Sequence, residues 1–172
     1  MAIEVNLEKY GHKKKGFLGF SWTAFFFNFL VPVFRADFKW FLIFIFPFIF
    51  GALGANLDLD FDNNFIAFIF IFPVFVSKFV FPFIYNKFYT KGLIKEGYLP
   101  PKDDDYSNAI LKGTGYLEYT DEDLLDKEKM ERYRIIIEEY KKERKKDIHN
   151  IIMVFILLGL LTAIFIFMAS YS

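Results

Sequence analysis

Three long apolar windows constrain what this chain can fold into more than any other feature of its sequence. Residues 40–57 and 151–169 contain no charged side chain, and residues 65–85 contain one, Lys78. As helices these windows would extend about 27 to 31 Å, which matches a hydrocarbon core of about 30 Å. Buried helices of soluble proteins are usually shorter and carry a polar face. The windows therefore predict an all-α, multi-pass integral membrane protein with three transmembrane helices.

Charge is distributed along the chain as this interpretation requires. The net charge is zero although 24% of the side chains are charged. Lys and Arg number six before residue 40, none in residues 58–64, fourteen in residues 86–150 and none after the third window. Because positive residues are retained on the cytoplasmic side of a membrane, this distribution predicts that the N-terminus and residues 86–150 are cytoplasmic and that the C-terminus is outside.

A fourth apolar stretch, residues 17–34, is too interrupted by polar residues and a proline to span a membrane. It is typical of a short interfacial or re-entrant helix, for which the Ser21 hydroxyl is a suitable N-cap. Tryptophan and arginine side chains favour the headgroup region because each has an apolar body and a polar end. The sequence therefore predicts a membrane domain over residues 1–101, with interface anchors at Trp22, Arg35 and Trp40.

Small residues at helical spacing within two of the windows would let helices pack closely. The predicted packing positions are Gly51, Ala55, Gly159 and Ala163. The first two windows also share the segment Ile-Phe-Ile-Phe-Pro, which puts a helix-kinking proline at position 47 and another at position 73. Paired breaks mark the binding site in some transporters, although a chain this rich in Phe and Ile also repeats itself by composition.

The segment before the third window is predicted to be cytoplasmic, with a loop at residues 102–119 and then a long helix. No glycine lies between residues 115 and 159, so an amphipathic helix that begins at residue 120 is expected to continue into the span at residues 151–169. Apolar residues at 3,4,3 spacing on this helix indicate docking on the protein's own loop or on a partner: Met130, Tyr133, Ile137 and Tyr140. A basic cluster beside the membrane is predicted to anchor the interface and to contact anionic lipid at the cytoplasmic face: Lys141, Lys142, Arg144, Lys145 and Lys146.

The residue types that most chemistry needs are missing or scattered. The chain has no cysteine and two isolated histidines, and no nucleophile stands beside a base at a recognisable spacing. The acidic run at residues 58–62 lacks the glycine and glutamate of a calcium loop. Balanced charge argues against a nucleic-acid partner. We therefore predict that the protein is not an enzyme and has no catalytic site, cofactor or metal.

Residues 16–101 contain two stretches with distinctive motifs. The first is Phe-Ser-Trp-Thr-Ala-Phe-Phe-Phe at residues 20–27, followed by Arg35 and Trp40. The second contains Asn86, Tyr89 and Leu93 and ends in Gly-Tyr shortly before a proline. Together they resemble a family of small bacterial membrane proteins catalogued as domain of unknown function 2628. The resemblance implies a location in the bacterial inner membrane and no established activity.

The functional expectation is a small inner-membrane protein that acts as an accessory, scaffold or assembly subunit of a larger membrane complex. Its predicted contacts are the lipid bilayer and a membrane protein partner or a second copy of the chain. The alternative is a minimal transporter or channel component whose path lies beside the paired prolines. The absence of acidic residues from all three apolar windows disfavours that alternative, since ion and proton pathways use such residues.

Overall fold

The computed structural model describes residues 2–56 and 64–170, and the fold is mostly helical, as the sequence predicts. The chain divides into two compact units, Met1–Ser107 and Asn108–Ser172. The elements of the first unit are β1 (Ile3–Lys9), β2 (His12–Leu18), α1 (Trp22–Phe27), α2 (Leu30–Phe34), α3 (Phe38–Asn56), α4 (Asn64–Phe79) and α5 (Phe81–Lys95). Three helices follow: α6 (Asp105–Gly113), which crosses the boundary between the units, α7 (Asp121–Leu125) and α8 (Lys127–Ser170).

Residues 3–18 form an antiparallel hairpin that the all-α prediction did not include. β1 and β2 are joined by Tyr10 and Gly11, whose φ angles of 49° and 81° are those of a type I′ turn. Val5 and Leu7 are buried while the neighbouring Glu4 and Asn6 are exposed. This alternation is the pattern of a strand with one buried face.

Residues 17–34 form the end of β2 and two short helices instead of one interfacial helix. The Ser21 hydroxyl caps α1 by accepting a hydrogen bond from the Ala24 amide at 3.2 Å, as predicted. The helix stops at Asn28, whose φ of 46° turns the backbone out of the helical path. α2 then starts from a new direction and ends at Arg35.

α3 and α4 pack against each other in antiparallel directions. The ring centres of Phe50 and Phe70 are 4.7 Å apart, and a Cβ placed on Gly51 would lie 3.3 Å from Val74. At Val80 the chain then bends by 59° between α4 and α5. Because Pro82 in the first turn of α5 lacks an N–H group, the helical hydrogen bonding does not continue across the bend.

Three complete membrane spans are not supported by the structure. Among the described residues, one helix, α8, is long and apolar enough to cross a membrane, and counting the bent pair α4–α5 as one broken span gives two. The first window corresponds to a shorter apolar helix, Phe38–Gly54, and the second is divided by the bend. Residues 58–63 of the predicted external link lie outside the described part of the chain.

The second unit is built around α8. This helix of 44 residues runs without a break from Lys127 through the third apolar window, so the predicted continuity holds from Lys127 onward. The residues before it form the separate helix α7, because Asp126 has extended backbone angles. The predicted loop at residues 102–119 contains α6, where Ala109, Ile110 and Leu111 are fully buried.

Candidate functional site

Arg35 lies within a group of aromatic rings in the first unit. Its guanidinium carbon is 3.9 Å from the centre of the Phe17 ring, and 5.0 and 5.1 Å from the ring centres of Tyr85 and Tyr89. Nη1 of the same side chain donates a hydrogen bond to Asn86 Oδ1 at 2.9 Å. Aromatic faces attract a cation through their quadrupole. We call these five residues the Arg35 cluster.

α5 positions the cluster by binding the strand segment that precedes α1. The Thr90 hydroxyl accepts a hydrogen bond from the Phe17 amide at 2.7 Å and donates one to the Phe17 carbonyl at 2.8 Å. Asn86 Nδ2 donates to the Gly19 carbonyl at 3.1 Å while its oxygen accepts from Arg35. The cluster therefore joins β2, the end of α2 and α5, which are distant in sequence.

The cluster holds a charge rather than a reactive group. Burial lowers the pKa of Arg35, but the guanidinium group remains charged at neutral pH because its ordinary pKa lies far above neutrality. Burial also raises the pKa of the nearby Asp37 carboxyl, although the Trp40 amide donates a hydrogen bond to it at 3.2 Å. The chemistry this geometry supports is electrostatic and structural.

Both predicted tryptophan anchors pack on other rings. Trp40 in the first turn of α3 contacts Phe81 and Phe88 of α5, with ring centres 6.0 and 5.6 Å away. Trp22 at the start of α1 stacks on Phe26 at 6.1 Å. Both indoles are partly exposed, so each has one side in the protein and one side available to the surroundings.

A buried polar contact lies among the apolar helices. The Ser77 hydroxyl of α4 donates to the Phe44 carbonyl of α3 at 3.2 Å, and Asn28 Nδ2 donates to the Ser77 carbonyl at 3.4 Å. Ser77 is fully buried and Asn28 nearly so. This contact joins α3, α4 and the turn after α1 where water is excluded.

The predicted small-residue positions have different surroundings. Gly51 packs against Val74, and the nearby Gly54 lies against the Phe70 ring so closely that a Cβ would overlap it. The Ala55 side chain lies outside the described part of the structure. A Cβ placed on Gly159 would have no atom of the described residues within 4 Å. Ala163 is exposed, so this second pair does not pack against the part of the chain that the structure describes.

The apolar stripe of α8 docks within its own unit. Tyr133 and Tyr140 are buried, and Met130 and Ile137 are partly buried. A Cβ on Gly113 would lie 2.5 Å from the Ile137 side chain, so the absence of a side chain at that position makes room for the stripe. Of the two uses that the sequence allowed, the structure therefore shows docking on the protein's own loop.

Asp123 forms two ion pairs beneath this stripe. Its carboxylate accepts a hydrogen bond from Lys112 and lies 2.7 Å from the Lys129 ammonium group. Only 2% of the Asp123 side chain and 8% of the Lys112 side chain are exposed. Burial by itself raises the pKa of Asp123, but hydrogen bonds from the two lysines outweigh it and hold that pKa well below its usual range. The aspartate also completes the capping box of α7 with Thr120.

A shallow groove of about 460 Å³ remains open between α7 and α8. Its floor includes Leu124, Met130 and Ile137, and its rim carries charged residues. On that rim Arg134 is paired with Glu131 at 2.6 Å and with Glu138 at 3.0 Å. Within residues 2–56 and 64–170, no three acidic or histidine side chains are close enough together to hold a metal ion.

Most of the described side chains in the rest of α8 are exposed. The basic anchors at Lys141, Lys142, Arg144, Lys145 and Lys146 all point away from the protein. In the apolar half, large side chains such as Leu157, Leu160 and Phe167 are about as exposed, at 58 to 62%. An uncovered apolar helix of this length is unstable in water.

Sequence reasoning missed the contacts between distant residues. Arg35 was expected only as a membrane anchor, whereas it pairs with Asn86, 51 residues away. Arg35 belongs to the first stretch of the family resemblance and Asn86 to the second. Their joint presence in that resemblance was the one sequence signal that could have indicated a contact between them. The Lys112–Asp123 pair had no such signal, because the two residues lie on different helices and no spacing rule relates them.

Arg35→Lys is expected to destabilise the first unit by about 2 kcal/mol, because a lysine keeps the charge but loses the planar stacking and the directed bond to Asn86. Amide hydrogen exchange of the full chain in detergent micelles would show lower protection at residues 16–20 and 85–90. The control is Lys39→Arg, the reverse exchange at an exposed position, with an effect below about 0.5 kcal/mol. Equal protection in the two variants would contradict the cluster's role.

Asp123→Asn is expected to destabilise the second unit by about 3 kcal/mol, because it leaves Lys112 charged and buried without its partner. Exchange protection of α6, α7 and the first turns of α8 reports this loss, and the exposed Glu122→Gln is the matched control. Because the folded-state pKa of Asp123 is depressed, the ion pairs stabilise fully above the unfolded pKa of about 4. That stabilisation is lost as the pH falls below about 4 toward the folded-state pKa, and the Asn variant should lack this acid dependence.

Comparison with protein-family models, with curated proteins and with solved structures finds no match to this chain. The resemblance of residues 16–101 to the small membrane protein family therefore stays a prediction. What the structure adds is that the two stretches behind that resemblance pack on each other through Arg35, Asn86 and Tyr89.

Proposed function

We propose that this protein is a non-enzymatic accessory, scaffold or assembly subunit of a larger complex in the bacterial inner membrane. The observation that carries the proposal is the apolar half of α8, which is long enough to cross a bilayer and is almost wholly exposed. Exposed apolar surface of this extent is stable only in lipid or against another apolar surface. The two stretches of family resemblance, which meet at the Arg35 cluster, support the same setting.

The proposed orientation has the N-terminus and residues 86–150 in the cytoplasm and the C-terminus outside. The antiparallel packing of α3 and α4 supports it, because an antiparallel pair begins and ends on the same side whether it crosses the bilayer or only enters it. The exposed basic residues of α8 beside its apolar half support it as well. Multi-pass insertion is part of this proposal.

The proposed partner is a membrane protein or a second copy of this chain, bound through the apolar half of α8. The stripe from Met130 to Tyr140 is largely occupied by its own unit, which leaves the groove beside Leu124 as a smaller additional surface. Gly159 and Ala163 support close helix contact, since no described residue of the chain fills the space beside Gly159.

Orientation can be measured with reporter fusions. A phosphatase that is active only outside the cytoplasm should be inactive when fused near Asp105 and active when fused after residue 170. A fluorescent reporter that folds only in the cytoplasm should give the opposite pattern. Activity of the phosphatase near Asp105 would overturn the proposed orientation.

The accessory role predicts a stoichiometric complex in mild detergent that depends on the sequence of the apolar half of α8. Replacing residues 151–169 with alternating Leu and Ala of equal length keeps the hydrophobicity and should preserve insertion while the complex is lost. The control replaces only exposed residues of the basic cluster, Lys145→Arg and Lys146→Arg. A complex that survives the Leu-Ala replacement would refute the role assigned to α8.

The second candidate function, a minimal transporter or channel component, is supported by one observation. The bent pair α4–α5 is a broken helix, with the Ser77 contact close to the bend, and broken helices form substrate sites in many transporters. If the purified chain forms a homo-oligomer that conducts ions or solutes in liposomes, this candidate replaces the accessory role.

A further inference from the structure

α5 has two faces of opposite character. The buried face contacts β2, α1 and α3 and consists of Pro82, Tyr85, Asn86, Thr90 and Leu93. At 100° per residue these positions cover one side of the helix. The opposite side is exposed and consists of Phe83, Lys87, Phe88, Lys91 and Lys95. We call this second side the lysine face.

The lysine face combines charge with large apolar rings. Phe83 and Phe88 are 50% and 51% exposed, which is unfavourable for a helix surrounded by water on that side. The three lysines follow one another at intervals of four residues, and residues 81–95 contain no acidic side chain. A surface with cations between aromatic rings is complementary to a lipid headgroup layer, where phosphates lie above the acyl chains.

The bend after α4 determines the depth at which the lysine face lies relative to the bilayer. α5 turns away from α4 by 59°, so the two helices cannot both follow the membrane normal. Trp40 in the first turn of α3 touches both Phe81 and Phe88, so two turns of α5 stay beside the first turn of α3. If α3 enters the bilayer at that turn, α5 lies at the boundary.

We propose that the lysine face of α5 lies in the cytoplasmic interface of the membrane and binds the phosphates of anionic phospholipids. The proposal rests on the proposed membrane location and adds a lipid class and a surface to it. Phe83 and Phe88 enter the outer part of the acyl layer. Lys87, Lys91 and Lys95 extend their stems along that layer and place their ammonium groups among the phosphates.

The depth of α5 tests the geometry. The chain has no cysteine, so single spin labels can be attached after Phe83→Cys, Phe88→Cys or Ile94→Cys in the full protein. In vesicles of phosphatidylcholine and phosphatidylglycerol, oxygen and nickel accessibility should place all three labels within about 5 Å of one depth, near the phosphates. A helix that rises from the membrane would separate the first and last labels by about 16 Å, and that result, or three fully aqueous labels, would overturn the proposal.

Charge removal tests the lipid class. A triple variant carries Lys87→Gln, Lys91→Gln and Lys95→Gln. After detergent extraction from mixed nanodiscs, the amount of phosphatidylglycerol retained per protein, measured by mass spectrometry, should be about fivefold lower than for the wild type. The matched control removes three exposed lysines elsewhere in the first unit, Lys13→Gln, Lys14→Gln and Lys102→Gln, and should retain the wild-type amount. Equal retention by all proteins, or the same loss in the control, would show that the face does not select anionic lipid.

A separate measurement distinguishes failure of this inference from failure of the proposed function. Alkaline carbonate extraction of membranes reports whether the wild-type chain is integral. A chain released by carbonate would refute the membrane location and the lipid site together. A chain that stays in the membrane, with labels at increasing distance from the phosphates, would refute only the lipid site.

Discussion

The buried face of α5 is the constraint on which the first unit depends. Along this face the Pro82 carbonyl accepts a hydrogen bond from the Ser21 amide at 2.9 Å, and Asn86 and Thr90 bind the backbone of residues 17–19. The contact is so close that a Cβ on Gly16 would lie 2.8 Å from Val5 and 2.9 Å from Thr90. Only glycine allows the hairpin to approach the helix at this point. The hairpin, α1 and the Arg35 cluster all follow from that approach.

Sequence patterns predicted what depends on local composition. The described parts of the apolar windows became helices, Ser21 became an N-cap, and the 3,4,3 spacing from Met130 to Tyr140 became a packed face. The hairpin was missed although its signal was present, since alternating apolar residues lead into a two-residue turn ending in glycine. The missed elements are therefore of two kinds: patterns present but outweighed by the apolar windows, and contacts between distant residues.

The bend at Val80 shows why window length alone misleads. Hydropathy is continuous over residues 65–85, and it carries no information on the direction of the helix axis. A proline within the first turn of a helix, however, allows that axis to change. The same limit applies to Arg35 and to Asp123, each of which is bonded to a side chain far along the chain or on another helix. Sequence periodicity carries no information on such pairings, and their energetic importance comes from burial.

The unbroken course of α8 also couples the orientation of its two halves about the helix axis. Eighteen residues make five full turns of an α-helix, so Ile151 and Leu158 share the azimuth of the buried Tyr133 and Tyr140. Docking of the two tyrosines therefore fixes the rotation of the apolar half about the helix axis, and with it the side of the helix on which each apolar side chain lies. One residue inserted between Tyr140 and Ile151 would rotate that half by about 100° without breaking any contact of the docked half, and four inserted residues would nearly restore its rotational phase.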